Sequence, residues 1–139
     1  MRNLKNQRGA ALLETAVTLP LILLVSVAIF EFGRAYQTWQ VLTNAAREGA
    51  RVAVLFDKTD ADVSDTVKAY MTSGKLAGAP SISINRNKTL GSNSVSEITV
   101  NYPFNFIVLN PVIKLVKSGS TTGASPLTMQ AIAVMRNES

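Results

Sequence analysis

Glu14 is the residue whose chemistry its surroundings do not explain. It stands at the start of a predominantly apolar run, Ala10 to Phe30, and no charged residue occurs between Thr15 and Phe30. A carboxylate deep in hydrocarbon costs about 2.5 kcal/mol or more, so an acid in such a segment is a functional candidate by default. What it can do there is accept hydrogen bonds or pair with a cation where water is scarce. Little other chemistry is open to the chain. It has no histidine and no cysteine, which removes the commonest general base, the usual triads, thiol nucleophiles, Cys-based zinc sites and disulfides. The remaining carboxylates, serines and lysines form no nucleophile elbow, Gly-rich phosphate loop or calcium loop. Asp60, Asp62 and Asp65 come nearest to a calcium site, but the central glycine and distal glutamate are missing. These acids suit the positive end of a helix instead. No catalytic residue, metal or cofactor is expected, and the chain reads as a non-enzyme.

The element that must hold Glu14 is a helix. Residues 10–30 rise about 31 Å as a helix, close to the hydrocarbon thickness of a bilayer. Arg2, Lys5 and Arg8 precede the run without any acid, which places the N-terminus in the cytoplasm and residues 31–139 beyond the membrane. A secretory signal is the competing reading. Against it, Glu14 opens the run, the run ends in Phe30-Glu31-Phe32 without a small-x-small pattern, and it exceeds the usual signal h-region. A plain anchor with Glu14 snorkelling to the headgroups stays open on these residues alone.

The helical pattern continues past Phe30, with no proline from Glu31 to Phe56. Phe32, Tyr36, Trp39, Thr43, Ala46, Ala50 and Val54 recur at spacings of three and four and mark one face. Phe32, Tyr36 and Trp39 follow the apolar run where aromatic rings favour a membrane interface; Tyr36 and Trp39 fit a domain core equally well. Ala45, Ala46, Gly49, Ala50 and Ala53 make a small-residue surface that lets strands approach, while Arg47, Glu48 and Arg51 read as solvated, with Glu48 and Arg51 spaced for a weak pair. One helix of about 45 residues is therefore expected to begin in the membrane and end in a domain.

Asp57 to Asp60 breaks the pattern, and Thr59 or Asp60 can cap a second helix whose apolar face is Val63, Val67, Tyr70 and Met71. Beyond Gly74, Gly78 and Pro80 the sequence reads as strands. Ser81 to Asn85 alternates, Asn87 to Ser94 is turn-rich, and Ile98, Val100 and Tyr102 alternate with polar residues up to Pro103. Phe104 to Val116 is apolar with an ambiguous period, its tips suited to a neighbouring subunit or the membrane surface. Ser118 to Pro126 reads as a loop, and Leu127 to Met135, apolar on both faces, as a central or covered strand. The formal charge is +5. Arg2, Lys5 and Arg8 supply most of it; the remaining 11 basic and 9 acidic residues leave +2 and form no stripe, so no nucleic-acid partner is expected.

The basic leader, Arg8-Gly9-Ala10, Glu14, Leu19-Pro20-Leu21, Glu31-Phe32-Gly33-Arg34 and the run Asn44-Ala45-Ala46-Arg47-Glu48-Gly49-Ala50-Arg51 together resemble the TadE-like family of pilus assembly pseudopilins, within the type IV pilin-like superfamily. The likeness is close over about the first 50 residues; Thr15 departs from it, standing where pilins of this branch often carry an aromatic. The resemblance implies an α+β pilin-like fold, in which a long N-terminal membrane helix continues into a small domain with a second short helix and an antiparallel sheet. It implies a prepilin-type leader, residues 1–9, cut between Gly9 and Ala10, then a transmembrane helix, 10–30, and a periplasmic domain, 31–139. It assigns recognition and assembly to Arg8, Glu14 and Pro20. The implied partners are a prepilin peptidase, the major Flp-type pilin, other TadE/TadF-like pseudopilins, the inner-membrane assembly platform and membrane lipid. A single-pass protein with a non-polymerising, partner-binding domain is the alternative.

Overall fold

The computed structural model describes residues 3–108, 110–111 and 127–137, with side chains from residue 9 onward. The Arg8 side chain, residues 109 and 112–116 of the apolar run 104–116, and the loop 118–126 thus lie outside the described residues. The fold is α+β: α1 (Asn3–Ala53), α2 (Asp60–Ser73), then β1 (Ser81–Leu90), β2 (Asn93–Phe104) and β3 (Leu127–Arg136). The strands form one antiparallel sheet in the order β1-β2-β3.

α1 is one unbroken helix of 51 residues, as its run of helix-compatible residues predicts, and it passes through Pro20. In its first half, none of its apolar window is buried by the other described residues. Its second half is the floor of the domain. The buried line is Glu31, Thr38, Leu42, Ala45, Ala46, Ala50 and Ala53. This corrects the expected face. Phe32, Tyr36 and Trp39 of that face are exposed, while its Ala46 and Ala50 are buried; alanines and Gly49 let the sheet close where bulky rings would hold it away. At Gly49 an added Cβ would stand 2.6 Å from Val67 Cγ2 and 3.5 Å from Ile98 Cγ2. The glycine is what allows α2 and β2 to meet α1 at one point.

α2 starts where the capping residues place it. Thr59 is the N-cap and forms a reciprocal box with Asp62, whose carboxylate accepts from the Thr59 N–H at 2.8 Å. Those bonds, the Thr59 N–H first, hold the Asp62 carboxyl below its ordinary range. Val63, Val67 and Met71 are buried, whereas Tyr70 is exposed. β1 and β2 run longer than alternation suggested and turn tightly at Gly91, whose φ of 63° favours glycine. Pro103 does not end β2; it pairs opposite Thr128 and the strand closes at Phe104. Among the described residues β3 is an edge strand, covered on one face only: Ala131 and Ala133 are buried against α1, whereas Ile132 and Val134 are exposed. At the irregularity in β1, Arg86 donates to the Ala53 carbonyl at 3.0 Å and to Asp60 at 2.6 Å. A cation thus meets the negative end of α1 and ties it to the start of α2.

Candidate functional site

The site begins with the bare half of α1. Gly9 is helical and exposed, and an added Cβ would find no atom within 4 Å. The fold makes no demand for glycine there. Glu14 is exposed one turn beyond Ala10 and, with Thr15, Thr18, Leu19 and Ile22, lines a shallow groove of about 250 Å³ on the helix surface. Glu14 is its one charged residue, and the neighbouring hydroxyls bond back to their own helix. Thr15 donates to the Ala11 carbonyl at 2.8 Å, Thr18 to the Glu14 carbonyl at 2.7 Å and Ser26 to the Ile22 carbonyl at 2.9 Å. Back-bonding of this kind satisfies a hydroxyl within its own helix and leaves a small, apolar contour that a neighbouring helix can approach. Pro20 lies between these turns; lacking an N–H, it leaves the Ala16 carbonyl without its usual donor. Gly9, Ala10, Glu14 and Pro20 thus share one stretch of free helix.

Phe32, Tyr36 and Trp39 are all exposed on α1. Tyr36 and Trp39 pair with each other, ring centroids 6.1 Å apart, and Gln40 Nε2 donates to the Tyr36 hydroxyl at 2.8 Å.

The residue that sequence reasoning missed is Glu31, the first charge after the apolar run. It is fully buried. Its Oε2 accepts from Arg34 at 2.8 Å and its Oε1 from the Val108 N–H at 2.6 Å. Arg34 in turn lies over the Phe104 ring, 5.3 Å from its centroid, and Phe104 meets Phe106 edge-on at 5.2 Å. Burial opposes the charge on Glu31, but the N–H groups of Val108 and Ile107 and the Arg34 guanidinium together outweigh it and hold the carboxyl below its ordinary range. A segment 77 residues away in sequence is thereby fastened to α1 where the apolar run ends.

The free face, the Glu31–Arg34 pair and the small-residue run all fall within one known pattern: residues 9–51 match the model of the TadE-like protein family. Over those residues the N-terminal helix is similar to the TadE-like family. No curated protein and no solved structure matches the chain. The TadE-like match ends at Arg51, just before α1 does, so it covers the helix and none of α2 or the sheet. It suggests involvement in Tad pilus assembly. Among the described residues one helix, α1, is long and apolar enough to cross a membrane, which is compatible with a single-pass protein in a pilus system.

Proposed function

We propose that the chain is a minor pilin-like subunit for assembly of a Tad (Flp-type) pilus. It is cut between Gly9 and Ala10 by a prepilin peptidase and held in the inner membrane by residues 10–30, with residues 31–139 in the periplasm. It associates with the major pilin, with other TadE/TadF-like subunits and with the assembly platform through α1. The observation that carries this reading is the groove at Glu14: a costly carboxylate beside small back-bonded threonines, on a helix face that no other described element covers. The free space at Gly9 supports the processing step, since the need for glycine must then come from an outside agent.

Cleavage creates an α-amino group on Ala10 that is largely cationic at neutral pH. Glu14 stands one turn away. Within one helix the two groups partly neutralise each other; in a bundle, Glu14 meets the N-terminus of a neighbour and favours one axial stagger over others. Arg8 leaves with the leader, so it serves recognition by the peptidase, and Pro20 loosens the helix above the contact.

The test has two arms. Gly9→Val leaves full-length precursor in the membrane, read by the mass and N-terminal sequence of the purified protein. Glu14→Ala is still cut and inserted but no longer co-purifies with other pilin-like subunits and yields no pilus. Normal assembly by Glu14→Ala would remove the basis of this reading.

A further inference from the structure

We infer that the loop Phe106-Ile107-Val108, latched to α1 by Glu31, is a second membrane contact that seats the domain on the lipid surface where α1 emerges. This rests on the single-span reading of α1 and is independent of the pilus role.

The placement follows from length and one hydrogen bond. A helix over residues 10–30 spans the hydrocarbon, so Glu31 stands at the hydrocarbon boundary. Val108 N lies 2.6 Å from the Glu31 carboxylate, which brings the loop to within about a helical turn of that boundary. What the loop shows there is apolar: Ile107 is 58% exposed and Val108 36%, and the chain neighbours of Glu31, Phe30 and Phe32, are exposed as well. In water these would be large uncovered side chains; at the acyl–headgroup boundary they are covered without any further protein. The polar groups agree with that depth. Glu31 and Arg34 neutralise each other, the second carboxylate oxygen accepts the Val108 N–H, and the guanidinium rests on Phe104. The latch therefore brings no uncompensated charge to the boundary.

The experiment uses the full chain in lipid vesicles, in a Trp39→Phe background, with one tryptophan introduced at a time. Ile107→Trp is expected to give blue-shifted emission that is quenched by lipids brominated high on the acyl chain and unchanged when the protein is diluted in lipid. Ile22→Trp, within the span, is expected to be quenched by lipids brominated deeper. An unquenched probe at 107 with a quenched probe at 22 would overturn the loop contact while leaving the span intact. Loss of quenching at both positions would remove the span reading and the loop contact with it. A blue shift at 107 that bromine does not quench and that fades on dilution would assign the patch to a second copy of the chain and overturn the lipid contact. Adding Glu31→Ala to the Ile107→Trp protein should abolish the quenching at 107, whereas quenching that persists would show that Glu31 is not the latch. Glu31→Gln, which keeps an acceptor for the Val108 N–H, should lose less.

Discussion

Glu31 has partners that almost no sequence pattern can reveal. Two of its three donors are backbone N–H groups, which any non-proline residue supplies, and they arrive from the segment that follows β2. Read along the chain, an acid just after an apolar run looks like the start of solvated protein; in the fold it is fully buried. Glu14 was legible for the opposite reason, since a charge among apolar neighbours stands out without knowledge of the fold. Glu31→Ala removes an acceptor and leaves Arg34 and the Val108 and Ile107 N–H groups without it, so a loss of about 2–3 kcal/mol is expected from thermal or denaturant unfolding in detergent. The pH dependence has a definite sign. A carboxyl held below its ordinary value in the folded state contributes fully above that ordinary value and loses its contribution as pH falls through the lowered one. The stability gap between the natural protein and Glu31→Gln should therefore be constant near neutrality and close below about pH 4. A gap that widened on acidification would contradict the burial of an ionised Glu31.

The small-residue surface of α1 was readable from composition, and it does lie against α2 and the sheet. How far that cover reaches along α1 was not. Phe32, Tyr36 and Trp39 share the three-and-four row of Ala46 and Ala50, and periodicity alone does not say which part of a row is covered; here the alanines are buried and the rings are not. β3 failed for a related reason: apolar residues on both faces suggest cover on both faces, yet Ile132 and Val134 have none among the described residues. Gly49 tests the close approach directly. Alanine would gain about 1 kcal/mol of helix propensity, but its methyl group would press on the stiff, fully buried Val67, a strain of about 1–3 kcal/mol. Gly49→Ala is thus expected to lower stability by about 1 kcal/mol on balance, and Gly49→Val by more. Gly33, where an added Cβ meets nothing within 4 Å, is the matched control, and alanine there should be neutral or stabilising in the same unfolding assay.

For the protein as a whole, the cation bias before Ala10 predicts a single crossing with residues 31–139 outside the cytoplasm. Protease added to spheroplasts should digest the domain and spare the anchor; a domain protected until lysis would reverse the orientation. α1 also has a mechanical consequence. On the proposed single span, the helix that crosses the membrane is the same one on which the sheet and α2 are mounted, with no linker between them. Anchor and domain therefore move as a lever whose pivot is the membrane boundary. Its outer arm, Glu31 to Ala53, is about 34 Å long, so a change of about 10° in the tilt of the anchor sweeps the far end sideways by about 6 Å. Since a helix adjusts its tilt to the thickness of the bilayer around it, a thinner or thicker membrane is converted into a lateral displacement of the domain.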